Sequence, residues 1–226
     1  GSIESLENTI ESFHYSKSLG CEFIETDVQV SSDGIPYIFH DETLTRLLNR
    51  DDVFSSLHSN EIDNLKIFDE HSIPKLETVL RMFPDMKFQI DVKTDEVAMP
   101  ALAIIQKNNA MDRVCIASFN SKRLSLVNNN YPDICISMGP YEVAKMLLSS
   151  FGLYKKSILG NCLQIPIYEY GIKLVTKRFV KFIHSKGLKV CVWTINDEKT
   201  FKYLIDIGVD GIITDKPKLL FEVLDS

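Results

Sequence analysis

Two carboxylates interrupt an apolar run in "FIETDVQV" (Phe23–Val30): Glu25 and Asp27. At positions i and i+2 they point to the same side of one strand. Neighbouring carboxylates repel each other, and the pair persists comfortably when a cation or a shared proton neutralises it. Two oxygen ligands converging from one strand suit Mg2+ or Ca2+; the plainer reading is a pair of salt bridges or solvent contacts. The next segment, "SSDG" (Ser31–Gly34), is a turn signal and "IPYIFHD" follows it, so a hairpin is predicted. With the turn on Ser31–Gly34, Val30 faces Ile35, Asp27 faces Ile38 and Glu25 faces His40, and a slip of a residue or so still lands His40 near the acidic pair. Opposed residues have Cβ atoms about 5 Å apart. A histidine beside a metal-bound phosphate is a natural general acid or base. In "FQIDVK", Asp91 and Lys93 share one face at the end of another buried strand. They could supply a carboxylate to the metal and a cation to a phosphate oxygen. Trp193 closes "KVCVW", where it either stacks on a substrate or packs on the core.

What positions these residues is a repeated unit, a short apolar run followed by an amphipathic helical pattern. The runs are Phe23–Val30, Lys87–Lys93, Arg113–Phe119, Asp133–Met138, Cys162–Ile167, Lys189–Thr194 and Gly211–Thr214. Continuous apolar runs of this length suit parallel strands buried on both faces. Alternation with helical patterns such as "LENTIESFHYSKSLG", "KLETVLRMF" and "EKTFKYLIDIG" indicates a parallel α/β fold. Seven strands leave two architectures: a (β/α)8 TIM barrel with its first strand upstream of Gly1, or an open doubly wound sheet. No Gly-rich phosphate loop joins a strand to a helix, which disfavours a nucleotide-binding version of the latter. The chain reads as one domain over 1–226, with a hairpin and insertion region at about 28–74.

Nearly half of the 226 residues are apolar, ample for one large core, and the net charge is −6. An acidic chain argues against broad nucleic-acid binding. Five widely spaced cysteines with no CxxC pair read as small buried hydrophobes in a reducing compartment, against a zinc site or a disulfide framework. No run is long enough to span a membrane and no signal peptide is visible, so a cytoplasmic location is expected.

Taken in order, these segments resemble the glycerophosphodiester phosphodiesterase family over essentially the whole chain. "LENTIESF" is similar to that family's Pro-Glu-Asn-Thr helix start, with Leu6 where Pro is usual. "FIETDVQVSSDGIPYIFHD" resembles its Glu-x-Asp strand, Asp-Gly turn and His-Asp ending. "SIPKLETVL", "VWTIND" and "GVDGIITDKP" resemble further motifs, and "IDVK" its Glu-Ile-Lys motif with Asp91 for Glu. The resemblance implies a TIM barrel of the phospholipase-C-like phosphodiesterase type and one divalent cation, Mg2+ or Ca2+, held by Glu25, Asp27 and Asp91. It implies His40 as one of two catalytic histidines, Lys93 on the phosphate, Trp193 lining the cleft, and Glu7 and Asn8 close to the metal. The implied reaction converts a small-molecule glycerophosphodiester to glycerol 3-phosphate and an alcohol.

Asp91 is one methylene shorter than the family's Glu, so its strand must lie slightly closer or the metal must differ in fit. The family also places an apolar strand ending in His-Arg-Gly just before Glu-Asn-Thr. That motif would end where this sequence begins, and the intact protein is expected to carry it upstream. Two rival functions stand beside the first. One is lysophospholipase D-type hydrolysis, for which the apolar, lysine-bearing stretch from Val143 to Leu163 could cover an acyl chain or touch a membrane. The other is a degenerate barrel that binds phosphodiesters without turnover.

Overall fold

The computed structural model describes residues 2–226. All seven apolar runs form strands. We number them, with the hairpin strand, as β1 Phe23–Val30, β2 Pro36–Ile38, β3 Lys87–Val92, β4 Val114–Ala117, β5 Cys135–Ile136, β6 Cys162–Ile165, β7 Lys189–Val192 and β8 Gly211–Ile212. The larger helices are α1 Ile10–Ser18, α2 Leu76–Met82, α3 Asp95–Lys107, α4 Ser121–Asn130, α5 Pro140–Ser150, α6 Lys177–Ser185, α7 Glu198–Ile207 and α8 Pro217–Leu224.

Parallel ladders join β1 to β3, β3 to β4, β4 to β5, β6 to β7 and β7 to β8. A parallel bridge between Ser137 and Cys162 links β5 to β6. The spatial order of the parallel strands is therefore their chain order. A doubly wound sheet reverses direction at a switch point. This chain never reverses, which is the winding of a (β/α) barrel and excludes the open alternative.

Along β1 and β3 the even-numbered residues Ile24, Val28, Phe88, Ile90 and Val92 point outward into the layer beneath the helices. The odd-numbered ones, Glu25, Asp27, Asp91 and Lys93, therefore point into the barrel. Helices start where side chains can cap them: Thr9, Thr94, Asn120, Thr176 and Asp197 each accept a backbone N–H of the first turn. At the other end of α1, Gly20 adopts φ +93°, a conformation that glycine enters without Cβ strain. The segment before α1 meets the last helix: Glu4 accepts the N–H groups of Lys218 and Leu219 at the start of α8.

Residues 28–74 carry a small core of their own, with Tyr37, Phe39, Leu44, Phe54 and Ile62 fully or almost fully buried. The hairpin forms, but its register differs from expectation by one residue. Val30 pairs with Pro36 and Val28 with Ile38. Ser31 and Ile35 close the turn through Ser31 N–H to Ile35 O at 3.0 Å, and the loop is Ser32–Asp33–Gly34 with Gly34 at φ +83°. A three-residue loop ending in a left-handed glycine is a standard hairpin connection; the four-residue turn expected from "SSDG" is not used. The ladder ends at Ile38, so His40 lies beyond it and does not pair with Glu25. Phe39 donates its N–H to Asp27 O instead.

Phe88 is fully buried and meets Phe13 of α1 edge to face, with ring centroids 6.4 Å apart. Phe88→Ala should cost about 3–5 kcal/mol, read as a lower denaturant midpoint at unchanged m-value; an unshifted midpoint would contradict this packing.

Candidate active site

The parallel register of β1 and β3 makes Asp27 and Asp91 direct partners. Both are buried, and like charges so placed repel. Lys93 lies two residues beyond Asp91 on the same face, and its Nζ stands 2.7 Å from Asp27 Oδ1 and 2.7 Å from Asp91 Oδ2. Burial disfavours the ammonium, but the two carboxylates outweigh it and hold the Lys93 amine above its ordinary range. Burial likewise raises the Asp91 carboxyl against the pull of Lys93.

Asn8 adopts φ +55°, a left-handed conformation that asparagine tolerates better than most residues. It accepts a hydrogen bond from Thr26 Oγ1 at 2.7 Å and donates one to Asp27 Oδ2 at 3.2 Å. Glu25 lies beside this group. Its packed surroundings, followed by repulsion from Asp27 and Asp91, push its carboxyl up to about 8. Water reaches the Glu25 side chain, so the repulsion is the part of that shift that survives solvation.

His40 sits at the mouth, half-exposed, and its Nδ1 lies 2.6 Å from Asp41 Oδ1. Against burial, Arg46 and then His40 hold the Asp41 carboxyl low. An ionised carboxylate only accepts, so Nδ1 carries the proton in this pair and Nε2 is the nitrogen left for chemistry. Arg46 grips Asp41 through Nε at 2.7 Å and its guanidinium also forks onto Glu7. Glu7 is thus tied to the histidine's support and makes its ion pair there, whereas Asn8 alone of the two touches Asp27.

Trp193 N–H donates to Ile165 O at 3.2 Å, which places the indole at the C-terminal rim of β7. It meets Phe119 edge to face at 5.7 Å. Phe119 is largely exposed, an apolar ring at the mouth with no core to fill.

A scan of family models matches residues 1–219 to the Glycerophosphoryl diester phosphodiesterase family. The chain belongs to that family. Among its relatives is the "Probable glycerophosphodiester phosphodiesterase 2" of Mycobacterium tuberculosis, 30% identical, with 96% of this chain and 84% of that protein covered. Another is lysophospholipase D GDPD3 of Homo sapiens, 23% identical, with 100% of this chain and 83% of that protein covered. A phosphodiesterase from Oleispira antarctica, solved in complex with the product sn-glycerol-3-phosphate, superposes with a TM-score of 0.81. It is 23% identical, and the match covers 97% of this chain and 91% of that one. The structural likeness establishes the TIM-barrel fold that the strand order implied.

Within this family member, several supporting residues escaped the sequence reading. Arg123 is one: its Nη1 donates to Val92 O at 2.8 Å, Lys93 O at 3.0 Å and Ser118 Oγ at 2.9 Å. It fixes the strand end that carries Asp91 and Lys93. Nothing marks it in "SKRLSL" except an arginine in the first turn of the helix after β4. Asp41 and Arg46 are two more, five residues apart in "HDETLTR", a spacing that puts both on one short excursion beside His40.

Would these residues accept a divalent cation? The donor set is hard oxygen, which suits Mg2+ or Ca2+. Asp91 Oδ1 is buried and has no hydrogen-bond partner, a costly state that a cation would relieve. The oxygens of Glu25, Asp27 and Asp91 do not all lie within 4.8 Å of one another; among the described residues only Cys115, Cys135 and Cys162 bring ligand atoms that close together. Lys93 occupies the gap between the two aspartates. The residues fit a cation by chemistry and by the orphaned oxygen, with Lys93 as the counter-charge in its absence.

In metal-free protein Glu25 is then a source of repulsion. Glu25→Gln should raise Tm by about 2 °C in chelator, the scale of one modest charge contact. It should also shrink the Tm gain produced by millimolar Mg2+. An unchanged Mg2+ response would remove Glu25 from the cation site.

Proposed function

We propose that this chain hydrolyses glycerophosphodiesters to glycerol 3-phosphate and an alcohol, with one divalent cation, Mg2+ or Ca2+, held by Glu25, Asp27 and Asp91. As a member of its family it is a phosphoric diester hydrolase. The observation that carries the finer reading is the Asp27–Lys93–Asp91 group together with a histidine oriented by Asp41 and placed next in sequence to Phe39, whose N–H binds Asp27 O. A cation bound there would neutralise charge that develops on the phosphoryl oxygens. The remaining roles belong to side chains. Lys93 leaves one aspartate to meet a phosphate oxygen. His40 moves a proton through Nε2, to the leaving alkoxide or from the attacking hydroxyl. Asn8 steadies Asp27, while Glu7 reaches His40 through Arg46 and Asp41. Trp193 lines the cleft beside Phe119.

His40→Ala should lower kcat by about 10²–10⁴ and leave the Tm gain with Mg2+ intact. Near-normal kcat in that variant would refute its role.

A second reading is favoured by the exposed Phe119 against Trp193, an apolar rim suited to an acyl chain. The stretch from Val143 gives it less support. α5 is a barrel helix with Val143 and Met146 buried, although Phe151 and Leu153 beyond it are exposed. No described helix is long and apolar enough to cross a membrane. Parallel assays of glycerophosphocholine and lysophosphatidylcholine, each with Mg2+, with Ca2+ and with chelator, separate the readings. We expect glycerophosphocholine to be preferred and chelation to abolish turnover, with activity returning on metal addition. Preference for lysophosphatidylcholine selects the second reading. Failure on both substrates, with metal binding retained, leaves a binding barrel without turnover.

A further inference from the structure

Below the level of the carboxylates, starting on the strand next to β3, three thiols converge in the barrel interior. Cys115 on β4 and Cys135 on β5 are direct ladder partners, and Cys162 opens β6. Their three sulfur atoms lie within 4.8 Å of one another, with Cys115 Sγ and Cys162 Sγ 3.7 Å apart. On a flat sheet, strands once removed are about 9–10 Å apart. Here β4 and β6 flank β5, and the inward curvature of the barrel together with the lean of the two side chains closes that gap. A disulfide needs sulfurs at about 2.05 Å, and all five cysteines are free.

The spacing matches another geometry. Thiolates bound to a common ion at about 2.3 Å sit roughly 3.8 Å from each other. The Gln164 amide nitrogen lies 4.0 Å from both the Cys115 and Cys162 sulfurs, a donor placed to support negative charge on them. A three-sulfur donor set disfavours Mg2+ and Ca2+ and suits soft, thiophilic ions.

We propose that Cys115, Cys135 and Cys162 form a second cation site inside the barrel, separate from the carboxylates, that takes a soft d10 ion of the zinc, cadmium or copper(I) class. Binding of one such ion forms three metal–sulfur bonds and releases the thiol protons to solvent. The site does not depend on the phosphodiesterase reading, and its test does not use turnover.

The full chain, reduced with a phosphine and held in excess Mg2+, is titrated with Cd2+. The expected result is an ultraviolet sulfur-to-cadmium charge-transfer band that saturates at one equivalent. Alkylation mapped by mass spectrometry should then show Cys115, Cys135 and Cys162 protected while Cys21 still reacts. Cys115→Ser with Cys162→Ser should weaken Cd2+ binding at least 100-fold, and Cys21→Ala should leave it unchanged. The alkylation map needs no variant, so a misfolded double mutant does not spare the proposal. It is overturned by absence of the band, by a band that survives in a folded double variant, or by protection that does not include these three residues.

Discussion

Two buried carboxylates placed side by side would push their strands apart, and the Lys93 ammonium between them prevents it. Asp27 and Asp91 are the only interior charges that the β1–β3 register makes direct partners. Removing one member of a buried ion group leaves an uncompensated charge, typically at about 3–5 kcal/mol. The trio therefore does two things at once. It secures the pairing of the strands near the C-terminal end of the ladder, and it keeps acidic oxygens together at the barrel mouth, where their shared repulsion favours a cation.

Most of the surrounding polar structure steadies that trio. Asn8, in its left-handed conformation at the entry to α1, spans Thr26 and Asp27. Arg123 binds the carbonyls of Val92 and Lys93 from the next helix and stops the end of β3 from fraying. Asn196 accepts from Thr214 and from the Asp215 N–H and donates to Asp215, joining the rim segments after β7 and β8. The hairpin core around Phe39, Phe54 and Tyr37 anchors the excursion that carries His40, and Arg46 links it back to Glu7. The candidate groups thus lie on strand ends and short loops, and Asp27, Asp91, Lys93 and His40 are tied to their neighbours by charge-assisted bonds.

The barrel interior that gathers the acids on β1 and β3 gathers sulfur on the strands that follow, β4 to β6. Interior positions of a small barrel must be filled by side chains, and here that filling includes thiols on successive strands. Whether a thiol acts as a small hydrophobe or as a ligand depends on what its sulfur can reach, and the curvature sets that distance.

Periodicity in the chain determined a great deal unaided. Seven apolar runs become seven parallel strands, because unbroken apolar stretches can only be buried on both faces. Glu25, Asp27, Asp91 and Lys93 were identifiable because charges in such runs must be compensated, and i, i+2 spacing assigns them a common face. What the tertiary structure alone decided involves distances between elements. The hairpin register turned on whether Ser31 belonged to the loop or closed it, a difference of one residue that local turn propensity does not resolve. Lys93 as a bridge between two aspartates depends on the parallel alignment of β1 with β3, and Asp41, Arg46 and Arg123 acquire meaning only through their partners. Cys115 and Cys162 stand 47 positions apart in sequence and 3.7 Å apart in space. Spacing along the chain carries no trace of that contact, because the closing curvature of the barrel is a property of the whole sheet.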